Sequence, residues 1–144
     1  MDPEWNELLI HQLNDTGIAK RGWSVSTTGL RDALVRFTDT ARLFGAARDS
    51  ARDADAARID GANVALMQVE RRLTRPQGLA SRPWYMSLQF ASDVDNGYST
   101  MAFPSVNEAI RYADAKAVER ELAEMVIRVN SARSALADAI AALR

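Results

Sequence analysis

Residues 73–108 read LTRPQGLASRPWYMSLQFASDVDNGYSTMAFPSVNE, and no other part of the 144-residue chain looks like it. Three of the four prolines (Pro76, Pro83, Pro104) fall here, with Trp84, Tyr85, Phe90, Tyr98 and Phe103 among them. Proline fixes φ and removes a backbone donor, so the stretch is expected to be irregular. Disordered segments are poor in aromatics, so it is also expected to be ordered and packed. A long structureless connection inside a compact domain is uncommon and usually functional.

On either side the pattern is helical. Val118, Leu122, Met125, Val129, Ala132, Leu136, Ile140 and Leu143 recur at steps of three and four, one apolar stripe on a helix over about 115–143. Leu30, Leu34, Phe37, Ala41 and Phe44 predict a helix over about 28–45, capped by Ser26, Thr27 or Thr28 and stopped at Gly45. Residues 46–55 read as a charged extension or a turn. Ile59, Ala62, Leu66, Val69 and Leu73 predict a third helix over about 56–74, ended before Pro76. A first helix over about 3–14 rests on Trp5, Leu8, Leu9 and Leu13, with Asp2 as cap and Gly17 and Gly22 as breaks. A short helix over about 104–113 is expected from the capping-box spacing of Ser105 and Glu108, with Val106 and Ile110 inward. The sum is one all-α domain over 1–144, a four-helix up-and-down bundle with a long ordered loop at 75–103 before the last helix.

Composition excludes much chemistry. The chain has no cysteine, so disulfides, thiolate zinc sites and cysteine nucleophiles are out. His11 is the only histidine and is read as a surface or satisfied residue, which leaves almost no material for a Ser-His arrangement and no second convergent ligand set for a metal. Asp93, Asp95 and Asn96 start a calcium-loop pattern that no closing Glu completes. Glu121 and Glu124 read as a solvated helix face. No catalytic residue, metal ligand or cofactor is therefore expected. The net charge of −1 shows no basic stripe for nucleic acid, and no run of 18 apolar residues suggests a membrane span. The start, Met1-Asp-Pro-Glu-Trp-Asn-Glu, is unlike a signal peptide, which leaves localisation open.

The strings Gln68-Val-Glu-Arg-Arg-Leu73, Pro76-Gln-Gly-Leu-Ala-Ser-Arg-Pro-Trp-Tyr85, Asn96-Gly-Tyr98 and Phe103-Pro-Ser-Val-Asn-Glu-Ala-Ile110 together resemble one family. It is the transferrin-receptor-like dimerisation domain, the C-terminal helical domain of glutamate carboxypeptidase II-like zinc peptidases. The match is specific from about Leu66 to Ile110 and weaker but collinear from Trp23 to Phe44 and from Ala117 to Leu143. The resemblance implies a helical bundle that packs against a peptidase domain and a second subunit, with zinc and the catalytic carboxylate in the peptidase domain. A parent of this kind, if an exported bacterial enzyme, would carry its signal outside these residues. The family's loop lends an Asn-Lys-Tyr stretch to the substrate pocket. Asn96 and Tyr98 stand at its Asn and Tyr, but Gly97 replaces the Lys, so glutamate specificity is not carried over. Met86-Ser87 stands where the family has Arg-His. Trp84, Tyr85, Met86 and Phe90 are the candidate interface residues.

The resemblance thus implies a non-catalytic interaction domain, partnered by a second copy or by a parent peptidase domain. The departures at Met86-Ser87 and the unmatched helix from Trp5 to Leu13 motivate an alternative, an engineered scaffold that binds a chosen protein target.

Overall fold

A computed structural model describes residues 3–53 and 55–144. The expected cap Asp2 and the side chain of Trp5 lie outside what is described. Among the described residues five α-helices form: α1 (Pro3–His11), α2 (Thr28–Ser50), α3 (Ala56–Arg72), α4 (Pro104–Tyr112) and α5 (Ala115–Ala142).

The long helix α5 is the organising element. All eight residues of its stripe are buried, Val118, Met125 and Ala132 almost completely. Burying one such Val, Leu or Met side chain is worth about 1.5–3 kcal/mol, so this stripe anchors whatever packs on it. Asp114 caps the helix, its Oδ1 accepting from the Ala117 N–H at 2.8 Å. Helices α2, α3 and α4 all pack on α5, whereas α2 and α3 make at most marginal contact with each other. Gly29 of α2 lies beside Val126, and Leu43 and Ala47 share a cleft with Leu143, so α2 runs parallel to α5. Gly61 of α3 lies beside Ala142 and Arg72 reaches Ser131, so α3 runs the other way.

This arrangement departs from the expected four-helix bundle. The long helices form a layer in the order α2, α5, α3, and the nine-residue α1 leans on α2 through Asn6 to Thr38 and Glu7 to Arg31. The physical reason is the width of the α5 stripe. It accepts a helix on each flank, so the two sequence neighbours α2 and α3 separate.

Boundaries shift where backbone context overrides composition. Gly45 does not stop α2, which continues to Ser50; a turn follows at residues 51–53. Gly17 does not break the first segment either. After His11 the chain widens into a π-helical stretch over Gln12–Ile18, then a 3-10 turn over Ala19–Arg21 that Gly22 ends at φ 68°. At Gly17 an added Cβ would stand 3.0 Å from the Ile110 side chain, so its role is close approach to α4. Helix α3 ends at Arg72, ahead of Pro76, and its cap is Asp55, whose Oδ1 accepts from the Arg58 N–H at 2.9 Å.

The capping box at α4 does not form. The N-cap position is Phe103, in the left-handed region at φ 46°, and Glu108 is turned away into an ion pair. Val106 and Ile110 do point inward and are buried.

Residues 73–103 are ordered but not free of regular structure. Phe90–Ser92 (β1) and Thr100–Ala102 (β2) pair antiparallel in the register Phe90 to Ala102, Ala91 to Met101 and Ser92 to Thr100. The prolines lie outside both strands, so the ladder is not interrupted. Upstream, Thr74 bridges Ser87, and the Leu88 N–H donates to Leu73 O at 3.1 Å. This folds residues 74–87 into a closed lobe that buries Leu79 and Leu88 fully. The lobe turns at Gly78, φ 68°, where an added Cβ would stand 2.1 Å from the carbonyl oxygen of Pro83.

Gly97 has a similar φ of 67° with open space around it, so the two glycines separate strain from collision. Gly97→Ala is expected to cost about 1–2 kcal/mol, the left-handed penalty alone. Gly78→Ala must also displace backbone and is expected to cost clearly more in urea unfolding. Equal costs at the two positions would refute this account of the lobe.

Candidate interaction surface

Four arginines fasten the 73–103 segment to the helices. Arg75 Nη1 pairs with Glu121 Oε2 of α5 at 2.8 Å while its Nε donates to Gly78 O at 2.9 Å. Arg128 pairs with Glu124 at 2.8 Å and donates to Thr74 O at 2.9 Å. Glu121 and Glu124 are therefore half-buried pairing groups, not the solvated face expected of them. The cause is tertiary: the lobe lands on that side of α5.

The most enclosed pair is Arg82 with Glu108, at 2.6 Å and with side chains 13% and 7% exposed. Ser81 Oγ donates to the second Glu108 oxygen at 2.6 Å, and Arg82 Nη1 donates to Ser92 O at 2.9 Å. Arg82 also lies over the Tyr85 ring, 5.4 Å from its centroid. One guanidinium thus joins the lobe, the end of β1 and α4.

The hairpin turn is held by its acids. Asp93 Oδ1 accepts from the Asp95 N–H at 2.9 Å, and Asn96 Oδ1 accepts from the N–H groups of Tyr98 and Ser99 at 2.8 and 3.1 Å. Arg111 of α4 bridges Asp93 at 2.8 Å and Asp95 at 3.0 Å, and the Tyr112 hydroxyl donates to Asp95. The Arg111 hydrogen bond, followed by the backbone donor of Asp95, holds the Asp93 carboxyl down from 3.8 to about 2. The same Asp95 contact raises the Tyr112 phenol. The carboxylates that suggested an incomplete calcium loop are thus occupied by an arginine and by backbone donors. No metal-ligating cluster occurs among the described residues. His11, exposed, faces Asp15 at 3.1 Å.

Of the predicted site residues, Asn96 and Gly97 build the turn, and Tyr98 projects from its tip with 98% of its surface exposed. Trp84 (77% exposed), Met86 and Phe90 also stand out from the segment, whereas Tyr85 packs against the core. A cleft of about 450 Å³ opens beside the hairpin, walled by Leu9, Leu13, Phe90, Thr100, Met101 and Arg111. None of Asn96, Gly97 and Tyr98 lines it. Sequence reasoning missed Arg82, Glu108 and Arg111; the only signal was arginines in the loop facing acids on flanking helices, and pairing cannot be read from spacing. More apolar side chains stay exposed on the helices: Val35 and Leu43 of α2, Ile59, Val64 and Met67 of α3, and Ile127 of α5.

Residues 25–137 match the transferrin receptor-like dimerisation domain. The chain belongs to that family. A probable glutamate carboxypeptidase of Arabidopsis thaliana is 28% identical over 91 residues, 63% of this chain and 13% of that protein. An inactive zinc metalloprotease of Schizosaccharomyces pombe is 28% identical over 76 residues, 53% of this chain and 9% of that protein. The chain spans only about a tenth of the length of these relatives. The family assignment supports self-association or docking to a partner domain. No helix among the described residues is long and apolar enough to cross a membrane.

Two outcomes test the fastening of the domain. Arg82→Ala leaves the Glu108 carboxylate buried without its cation and is expected to cost about 3–5 kcal/mol in urea unfolding. A loss below 1 kcal/mol would show the pair to be incidental. Asp93 has a depressed folded pKa, so its stabilisation is complete above the unfolded value of 3.8 and fades as pH falls toward about 2. The stability gap between the unmodified chain and Asp93→Asn should therefore close between about pH 4 and pH 2. A gap constant over that window would contradict the assignment.

Proposed function

We propose that this domain is a non-catalytic self-association module, and that it docks a peptidase domain of the same parent protein. The observation that carries the reading is the set of apolar side chains left exposed on α2 and α3, although the α5 stripe between them is already filled. Such side chains on a folded domain mark partner surfaces. The family assignment supports a second copy as the partner. The names of the relatives support a peptidase-like neighbour.

In this reading the hairpin turn faces that neighbour. Tyr98 meets almost nothing of its own domain, which suits a side chain completed by another. Asn96 shapes the turn and Gly97 gives it the left-handed residue, so only Tyr98 offers a side chain to a pocket. Trp84, Met86 and Phe90 belong to the same docking side of the molecule in this proposal. One observation favours a second reading, an engineered binding scaffold. Met86, which departs from the family pattern, is 50% exposed two residues from Trp84. Differences from a parent sequence clustered on that side would favour it; scattered or buried differences would remove it.

Sedimentation equilibrium tests the first reading. The isolated domain should show a concentration-dependent dimer. Met67→Glu and Leu43→Glu should shift it toward monomer without loss of helicity, because a buried unpaired charge opposes association. A strictly monomeric chain at submillimolar concentration would defeat autonomous self-association.

A further inference from the structure

The two edges of the small hairpin are unequal. In the antiparallel register, Asp93 N–H bonds to Ser99 O at 2.7 Å and Phe103 N–H to Gln89 O at 2.9 Å. Ladder pairs alternate, so Ala91 and Met101 form the hydrogen-bonded pair between them. The pairs Ser92 with Thr100 and Phe90 with Ala102 therefore turn their backbone groups outward. On β1 two of the four are met: Ser92 O accepts from Arg82 Nη1 at 2.9 Å, and Phe90 N–H meets Ser87 Oγ at 3.5 Å. On β2 they are open. Among the described residues, Thr100 N–H, Thr100 C=O and Ala102 N–H have no partner, and Ala102 O has one, the Asn107 amide at 2.6 Å, which leaves its second lone pair.

The cleft of about 450 Å³ runs along this open edge. Five successive residues, 99–103, line one side, Leu9, Gln12 and Leu13 line another, and Phe90 and Asp93 also reach it. A site of that size falls in the usual range for ligand pockets. An edge of three residues spans roughly 10 Å and offers outward donors and acceptors at strand spacing, which only another extended backbone can match together. The Arg111 charge is already offset by Asp93 and Asp95, so the cleft presents no unpaired cation to an acidic ligand. We propose that the free edge of β2 is a strand-addition site, which captures an uncharged, alternating apolar segment of a partner protein between the hairpin and the Leu9–Leu13 segment. Backbone bonds supply the pairing, and the apolar wall selects the inward side chains. This site is separate from the exposed faces of α2 and α3 in the dimerisation reading and stands or falls without them, although it shares Phe90 with the proposed peptidase-docking side.

Amide hydrogen exchange and NMR titration of the full chain test it. In the free protein Thr100 and Ala102 amides should exchange quickly, while those of Ala91 and Met101 are protected. Slow exchange at Thr100 and Ala102 would show the edge already paired and would overturn the proposal. The probe is an acetylated, amidated peptide of alternating valine and threonine with a lysine at each end. It should shift and protect the Thr100 and Ala102 amides, and its analogue N-methylated at alternate amides should bind at least tenfold more weakly. Thr100→Pro, which removes an outward donor without touching the ladder, should abolish the effect; the N-methylated peptide serves the same purpose with the protein unaltered. No response at those amides with millimolar peptide, or equal binding of the methylated analogue, would overturn the site.

Discussion

Every other element depends on the burial of one apolar stripe along α5. A 28-residue helix spans roughly 40 Å, and its stripe is wider than a single neighbour can cover. Helices α2 and α3 each take a flank, and α4 takes the start of the helix. The stripe is thereby removed from water, but the outer faces of α2 and α3 are not. A layer of helices has more exposed face for its length than a closed bundle, and that geometry leaves Leu43, Val64 and Met67 at the surface. The same feature that makes α5 a good spine therefore makes the domain receptive to a partner.

The segment between α3 and α4 is held by a different kind of force. Its apolar content is enough to bury Leu79, Leu88, Ala91 and Phe103, yet its position is set by arginines. Arg75 and Arg128 fasten its start to α5, Arg82 fastens its middle to α4, and Arg111 fastens the hairpin turn to the end of α4. A guanidinium suits this work because its fork of donors can bond a carboxylate and a carbonyl at once. A buried ion pair adds little net stability over an apolar contact, but breaking it is costly. The arginines are best understood as fixing one placement of the lobe and hairpin among several that apolar packing alone would tolerate.

That placement has consequences for recognition. Tyr98 is carried on a turn whose backbone groups are bonded within the turn, so its ring can meet a partner without the loop having to order first. The hairpin beside it presents one edge partly met by Arg82 and Ser87 and one that borders the cleft. Phe103, strained into the left-handed region and buried, makes the sharp passage from β2 into α4 and lines the cleft beside it.

The periodicity of residues 115–143, 28–45 and 56–74 was enough to place three long helices, because a 3.6-residue apolar repeat has one physical solution when a core is available. The strings of residues 66–110 were enough to indicate the family. The inward turn of Val106 and Ile110 was legible for the same reason. What could not be read was anything decided by a partner distant in the chain. Gly45 and Gly17 look like stops, but packing on α5 and the approach to Ile110 carry the helix through them. Glu108 looks like a capping residue, but Arg82, 26 positions away, offers a buried charge that outweighs a cap. The short strands escaped notice because three-residue ladders have no periodicity to detect. Sequence alone determined where the long helices run; only tertiary structure decided which of their apolar faces are covered, as Ile59 left exposed on α3 shows, and which charges meet, since both depend on proximity in space and leave no local pattern in the chain.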